Sequence, residues 1–255
     1  MRRPLAAVWA VAAVLLAGCA LRAPRPLQPT TASALLDVLA ARRNAIASLR
    51  ARAHLKSGVS GLWVREALLV ERPASARVDV LAPFGVALAL GVRDRLLWAY
   101  RPSEGIRFEG EATPENLIRF FGAPVAVGDV VDVLLGLPPA REPVGPPDLH
   151  TTRAGEYQLR LPLAGGEQTL WFAGDTLVLL RAEETRSGGP PMRIAFADYR
   201  DGFPRTIDLS VPGTAAGAHL VYDAVEPNVD LADTLFAPPP AKRVLPLEAA
   251  GPPPG

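Results

Sequence analysis

Few residues of this 255-residue chain stand where they could catalyse a reaction or bind a metal ion. His54, His150 and His219 lie in or beside different predicted strands, and an isolated histidine is more often a surface or core residue than a ligand. One cysteine cannot form an internal disulfide, and with three scattered histidines it does not match a zinc site. The Gly58–Gly61 segment misses the nucleophile-elbow motif because the next residue is Leu62. We therefore predict no catalytic residue and no metal site.

Nucleotide and nucleic-acid chemistry are also disfavoured. Neither the G-x-G-x-x-G motif nor the phosphate-binding G-x-x-x-x-G-K-[ST] motif occurs in the sequence. The 27 basic residues are balanced by 26 acidic residues, so the chain lacks the strong positive charge of a protein that binds nucleic acid. We expect no cofactor, and an enzyme is the least favoured class of protein.

The single cysteine stands where lipid attachment is the expected chemistry. Arg2 and Arg3 precede an apolar run, Leu5–Leu16, and Leu16-Ala17-Gly18-Cys19 matches the lipobox of bacterial lipoproteins at all four positions. The run is shorter than the roughly 20 residues of a transmembrane helix, so a cleaved leader is the favoured interpretation. The alternative is an ordinary signal peptide followed by an incidental cysteine. We predict a leader over residues 1–18 and acylation, with palmitate among the acyl groups, at Cys19.

A lipidated Cys19 would anchor the chain, because two or more acyl chains hold a protein stably in a bilayer. The next residue is Ala20, whereas Asp at this position resembles an inner-membrane retention signal. We therefore expect the periplasmic face of the outer membrane. Residues 19–32 contain three prolines and are predicted to form an extended tether. Loss of the leader, with its two arginines, takes the formal net charge from +1 to −1.

The remaining residues are organised as two groups of strands around a short helical insert. Twenty-seven prolines and 22 glycines favour strands and turns over a helical bundle. Helical spacing predicts a first helix within 33–50, with Ser33 as its N-cap. A second helix opens at Thr113, and a third, 130–135, ends at Gly136. The strands are predicted near 51–59, 62–71, 76–82, 86–92, 95–100 and 106–109, and near 156–161, 167–173, 176–183, 192–199, 205–211 and 218–225.

Several predicted strands, such as Val86–Leu90 and Leu177–Leu180, are apolar on both faces, so the sheet must be covered on both sides or closed. A β-sandwich core explains this pattern. A curved sheet that is closed by short helices around an apolar ligand explains it as well. For such a cavity, strand alternation nominates Val78, Val80, Leu88, Leu90, Trp98, Leu170, Phe172, Ile194, Phe196 and Leu209.

The order of these elements resembles the LolA/LolB superfamily of lipoprotein carriers and receptors, and the receptor LolB most closely. Thr113–Gly122 followed by Val130–Pro138 is similar to the helical insert of LolB, and Arg77–Gly85 is similar to its exposed loop. Phe203–Leu209 and Val225–Phe236 resemble the closing strands of the superfamily. The resemblance implies a β-dominated α+β fold, a half-open antiparallel β-barrel of about eleven strands, with an N-terminal helix and a short helical lid. The lid residues would be Leu117, Ile118, Phe121, Val130 and Leu134.

The resemblance assigns residues 33–237 to the half-barrel, and the proline-rich segment 238–255 is predicted to be a disordered tail. It implies a monomeric outer-membrane lipoprotein that acts as a chaperone in protein transport. Such a protein would bind the acyl chains of lipoproteins, or other lipids, receive them from a periplasmic carrier, and assist their insertion into the outer membrane through its inner leaflet. The alternative is a structural or scaffolding envelope lipoprotein of the same fold, with a cavity filled by its own side chains.

The turn Pro83-Phe84-Gly85 carries an aromatic residue where a polar one is usual. A turn tip faces water, and an exposed phenylalanine forgoes the roughly 1.5–3 kcal/mol that burial of its side chain would contribute. Phe84 either folds back onto the sheet or projects from the turn. In LolB the matching position carries an exposed leucine that enters the bilayer, so the resemblance implies that residues 83–85 form a membrane-inserting loop.

Overall fold

The computed structural model describes residues 27–58, 60–121, 125–214 and 216–249, and of residues 118–121 it describes the backbone alone. The leader, the lipobox and Cys19 lie outside the described residues. Among the helices of the described part, none combines the length and the apolar character needed to cross a bilayer.

Helix α1 (Ala32–Ala45) begins one residue earlier and ends earlier than predicted. Its N-cap is Thr31, not Ser33, and the Thr31 hydroxyl accepts a hydrogen bond from the Ala34 amide at 3.2 Å. The helix ends because Asn228, far away in the sequence, binds its last turn. The Asn228 amide nitrogen donates to the Ala45 carbonyl at 2.7 Å, and its oxygen accepts from the Ala47 amide at 2.9 Å. The chain then continues directly into the first strand.

The described residues form fourteen strands and two further α-helices, so the β-dominated prediction is confirmed while the estimate of eleven strands is wrong. The first six strands are β1 (Ser48–Ser57), β2 (Trp63–Glu71), β3 (Ser75–Ala82), β4 (Gly85–Arg93), β5 (Leu96–Arg101) and β6 (Ile106–Glu111). Helices α2 (Pro114–Phe121) and α3 (Val127–Leu134) follow. The other strands are β7 (Asp148–Thr151), β8 (Glu156–Leu163), β9 (Gly166–Ala173), β10 (Leu179–Arg186), β11 (Met192–Arg200), β12 (Phe203–Ser210), β13 (Gly217–Pro227) and β14 (Arg243–Pro246).

All fourteen strands belong to one sheet with the order β14-β6-β5-β4-β3-β2-β1-β13-β12-β11-β10-β9-β8-β7. Two antiparallel meanders are joined through β1 and β13, whose register pairs Leu49 with Pro227 and Leu55 with Leu220. The outermost strands β14 and β7 do not pair with each other, so the sheet is not closed. Side chains of β4 and of β12 nevertheless line one cavity, which requires the sheet to curve around it. We call the face that carries Leu68, Val78 and Leu90 the inner face.

The prediction of a disordered tail is wrong for residues 243–249. β14 pairs with β6 in parallel, in the register Arg243 with Ile106 to Pro246 with Glu109. Leu247 follows it and is completely buried. The proline content of the segment suggested disorder, but Pro246 is tolerated because an edge strand has one side free of ladder hydrogen bonds. The partner strand β6 lies more than 130 residues upstream, so a local sequence pattern cannot predict this pairing.

The beginning of the body also differs from the predicted tether. The backbone amide of Gln28 donates to the carbonyl of Gly174 at 2.7 Å, and the Tyr157 hydroxyl donates to the carbonyl of Gln28 at 2.6 Å. A Cβ atom at Gly174 would lie 2.1 Å from the Leu27 side chain, so glycine is needed for this close approach. Residues 27 and 28 are therefore docked on β8 and the β9–β10 turn.

Burial of Leu247 gives a direct test of the ordered C-terminal strand. Leu247→Ala is expected to lower the free energy of unfolding by about 2 to 5 kcal/mol, because it leaves a cavity in a fully buried site. Val244→Ala, at a half-exposed position of β14, is the matched control and should change it far less. Urea denaturation followed by circular dichroism measures both values. Equal stabilities of the two variants would contradict the buried position of Leu247.

Candidate functional site

A cavity of about 230 Å³ lies between the inner face of the sheet and the helical insert. Its walls are almost entirely apolar. The strand side includes Leu68, Val78, Leu90, Leu97, Ile207 and Leu220, and the helix side includes Leu117, Val127, Val130, Val133 and Leu134. An apolar cavity enclosed in this way favours an apolar ligand.

Three of the ten residues nominated for the cavity line it, namely Val78, Leu90 and Leu209. Val80 and Leu88 are paired with each other across β3 and β4, on the same face as Val78 and Leu90. They are partly exposed and lie outside the lining. The cavity thus occupies only part of the inner face, and Val80 and Leu88 stand beside it, towards the turns at one end of the strands.

Four other nominated residues are buried in the hydrophobic core and do not line the cavity: Leu170, Phe172, Ile194 and Phe196. Ile194 of β11 pairs with Leu209 on one side and with Ala182 of β10 on the other, and Ala182 in turn pairs with Leu170 of β9. These residues therefore continue the inner face onto β9 and β11. Their large side chains fill this half of the sheet. In the half of the sheet that contains β9 and β11, the interior is thus filled by the protein's own side chains, whereas the other half contains the open cavity.

Trp98 lies on the opposite face, which corrects its nomination for the cavity. Its indole nitrogen donates to the Phe236 carbonyl at 3.1 Å, and its ring covers Gly91, where a Cβ atom would be only 2.2 Å away. Neighbouring Leu97 takes the inward position on β5. Because β5 is apolar on both faces, its sequence did not indicate which residue points inward.

The helical insert forms the roof of the cavity. Three predicted lid residues line it, namely Leu117, Val130 and Leu134, while the side chains of Ile118 and Phe121 lie outside the described residues. Helix α3 ends in a Schellman motif at Gly136, which has a φ of +73°, as its glycine stop predicted.

Charged residues fasten α3 at two places. Asp132 accepts hydrogen bonds from Arg43 of α1 at 2.6 and 2.7 Å and lies 3.3 Å from Arg72. Asp129 binds Arg141 at 2.7 and 2.8 Å, and this hydrogen bond raises the pKa of the arginine. Ion pairs that are partly buried and share several hydrogen bonds hold groups in defined positions. The roof is therefore positioned by α1, the β2–β3 turn and the loop after α3.

Glu66 is the functional candidate that the sequence analysis missed. It lines the cavity from β2, and only 5% of its surface is exposed. No described residue makes a hydrogen bond or ion pair with its carboxyl group, and burial raises its pKa from 4.5 to about 7. The strand alternation does contain a signal, because Val64, Leu68 and Val70 have the same parity as Glu66 and point inward.

A second group of residues forms an exposed apolar rim, which we define as Leu62, Trp63 and Phe84. Phe84 is fully exposed, so it projects from the turn and does not fold back onto the sheet. Leu62 and Trp63 are more than half exposed. The β1–β2 and β3–β4 turns lie at the same end of the sheet because consecutive strands alternate in direction. Lys56 and Arg65 are exposed next to Trp63 on the outer face. The sequence analysis identified Phe84 and missed Leu62 and Trp63.

No known protein family and no curated protein matches the sequence. Solved structures do match the fold. A LolA superfamily protein from Nitrosomonas europaea has a TM-score of 0.53 at 15% identity, over 82% of this chain and 99% of the other. A putative outer membrane lipoprotein-sorting protein domain from Vibrio parahaemolyticus has a TM-score of 0.53 at 13% identity, over 81% and 97%. A DUF1329 family protein from Desulfovibrio piger has a TM-score of 0.54 at 14% identity, over 82% and 98%.

At these identities the likeness is one of fold. The chain has a LolA-like architecture, an open and strongly curved β-sheet with a few helices against its inner face. The similar structures include a LolA superfamily protein and a putative lipoprotein-sorting domain. The likeness does not distinguish LolB from the other proteins with this fold.

The buried carboxyl group predicts a specific pH dependence of stability. The unfolded chain ionises Glu66 near its ordinary pKa of 4.5, whereas the folded protein keeps it protonated up to about 7. The stabilisation from this group is therefore complete below pH 4.5 and lost as the pH rises to 7. The difference between a pKa of 4.5 and one of about 7 corresponds to about 3 kcal/mol in the free energy of unfolding.

Glu66→Gln removes this titration, so its stability relative to the wild type should increase by about 3 kcal/mol between pH 4 and pH 8. Urea denaturation across this range measures the change. Glu104→Gln makes the same chemical change in an exposed turn and should leave the pH profile as it is. If the free energy of unfolding depends on pH in the same way for the wild type and Glu66→Gln, Glu66 does not have the raised pKa described above.

Proposed function

We propose that this protein is a lipid-anchored envelope protein that binds the acyl chains of lipoproteins in its apolar cavity and assists their insertion into the outer membrane. The observation that carries the proposal is the 230 Å³ apolar cavity between the sheet and the helical roof. The fold likeness to proteins described as LolA superfamily and lipoprotein-sorting structures supports it.

The size of the cavity is consistent with part of an acyl chain. An apolar cavity of about 150 Å³ accommodates benzene, and pockets for larger ligands have about 300 to 1,000 Å³. At 230 Å³ the cavity has room for a segment of hydrocarbon. In this proposal, α2 and α3 move away from the sheet to admit a whole chain, and the ion pairs of Asp129 and Asp132 close again afterwards.

The anchor and the location form the second part of the proposal. The lipobox around Cys19 supports acylation of that residue, and Ala20 after it supports the outer membrane. A periplasmic carrier would deliver the acyl chains, and the apolar rim at Phe84 would contact the inner leaflet. The scaffolding alternative has one supporting observation, the self-filled half of the sheet around Phe172 and Phe196. It predicts a protein without exchangeable ligand.

Acyl binding is tested by placing a charge in the cavity. Leu90→Asp should weaken binding of a fluorescently labelled diacyl lipopeptide at least tenfold, because an unpaired carboxylate in an apolar pocket is strongly unfavourable. Leu96→Asp, at an exposed position at the start of β5, is the matched control and should bind normally. Fluorescence titration in mild detergent measures the affinities, and thermal melting confirms folding. Wild-type affinity in a folded Leu90→Asp variant would contradict binding in this cavity, and a wild type that does not bind the lipopeptide would argue for the scaffolding alternative.

Membrane contact is tested at the turn between β3 and β4. Phe84→Glu should leave the melting temperature unchanged, because the side chain is fully exposed, and should slow transfer of the bound lipopeptide to liposomes several-fold. Val144→Glu introduces the same charge at an exposed apolar position outside the rim and should not affect transfer. Equal transfer rates for both variants would contradict a membrane-inserting role of residues 83–85.

A further inference from the structure

Glu66 occupies a position that is unusual for a carboxyl group. In the sheet it lies between Val80 of β3 and Ala53 of β1, and the next residue inward on its own strand is Leu68. Its surface is 95% buried, yet its side chain borders the cavity. An apolar residue would complete the packing of this wall, so the carboxyl group has no evident role in holding the sheet together.

Two other polar groups near the cavity, Tyr222 and Asp129, have partners elsewhere. The Tyr222 hydroxyl, on the strand beyond Ala53, donates to the Leu134 carbonyl at 2.8 Å, and burial raises its pKa, so it stays neutral. Asp129 on α3 is bound to Arg141. Arg205 on β12 forms no ion pair with Glu66 among the described residues, and its Nε atom is buried without a partner. Arg205 does not line the cavity, and of the two carboxyl groups that do, Glu66 and Asp129, only Glu66 forms no ion pair among the described residues. Glu66 is therefore the ionisable group that a ligand in this cavity can engage.

The protonation of Glu66 determines what it can bind. Burial raises its pKa to about 7, so much of the protein carries the neutral acid at neutral pH. A protonated carboxyl group is a hydrogen-bond donor, and the natural acceptor on an acyl chain is the carbonyl oxygen of its ester or amide. An ionised carboxyl group instead repels a second carboxylate.

The location of Glu66 suits the polar end of such a chain. Val80 and Leu88, which continue its row across β3 and β4, are partly exposed, whereas Leu68 and Val70, farther along β2, are buried. A chain with its hydrocarbon tail against Leu68, Val78 and Leu90 would thus have its first polar atoms near Glu66.

We propose that Glu66 selects the ligand by donating its proton in a hydrogen bond to the carbonyl oxygen of an uncharged acyl ester or amide, and that it rejects acyl chains ending in a free carboxylate. This inference rests on the proposed acyl-binding function and narrows it to neutral acyl groups, the form in which fatty acids are attached to lipoproteins and glycerolipids. Binding of such a group is coupled to protonation of Glu66. At pH values above the range in which this carboxyl group ionises, the affinity for the neutral acyl group therefore falls by up to tenfold per pH unit.

The test uses two ligands of equal chain length, methyl octanoate and octanoate. Isothermal titration calorimetry at pH 5.5, 7.0 and 8.5 gives their affinities for the wild type, Glu66→Gln, Glu66→Leu and the exposed control Glu104→Gln. The wild type and the control should bind the ester at pH 5.5, bind it at least tenfold more weakly at pH 8.5, and not bind octanoate at pH 8.5.

Glu66→Gln keeps a donor and has no titration, so it should bind the ester equally at all three pH values and also bind octanoate at pH 8.5. Glu66→Leu lacks the donor and should bind the ester independently of pH but more weakly than Glu66→Gln. If the wild type and Glu66→Gln bind the ester with the same pH profile, the role of Glu66 is wrong while acyl binding stands. If the wild type binds neither ligand at any pH, the proposed function fails and this inference fails with it.

Discussion

The carboxylate of Asp132 is the point at which the helical insert is joined to the rest of the molecule. It is nearly buried, and it accepts hydrogen bonds from Arg43 of α1 and from the amide of Ala140, with Arg72 of the β2–β3 turn beside it. A charge at this depth is tolerated only because several donors share it. Three other parts of the chain thereby converge on α3. Without this junction α3 would lose its links to α1 and to the β2–β3 turn, and its apolar face would be held less firmly over the cavity.

The cavity exists because small residues occupy one half of the inner face. Ala76 and Ala218 line it, whereas Phe172 and Phe196 fill the corresponding space in the other half. Gly91 is constrained from the outer face, because the ring of Trp98 occupies the space that a Cβ atom would need. Trp98 thus packs directly on the backbone of β4, while the neighbouring residue Leu90 faces the cavity on the other side of the strand.

Local patterns in the sequence predicted the interior of the sheet well and its borders poorly. Alternation and turn residues identified twelve strands near their observed positions, including the β3–β4 turn with Phe84. The missed strands, β7 and β14, are four-residue edge strands in proline-rich surroundings, and their pairing is set by distant partners. The end of α1 depends on Asn228 for the same reason. Trp98 was assigned to the wrong face because its strand is apolar on both sides. Glu66 has the inward parity of its strand, but charged side chains are rarely buried, so its charge favoured a solvent-facing position.

The docking of Leu27 and Gln28 at Gly174 limits how far the body can move from its anchor. If Cys19 carries the proposed lipid, eight residues connect the bilayer to this fixed point, and any chain spans at most about 3.6 Å per residue, or roughly 29 Å in all. The docking point lies at the end of the sheet opposite the rim that contains Phe84, because β9 runs away from the rim. A nine-residue strand such as β2 is about 30 Å long, or less when tilted. The rim and the lipid on Cys19 can therefore reach the same membrane only if the distance between the docking point and that membrane does not exceed this span, which is close to the length of one strand.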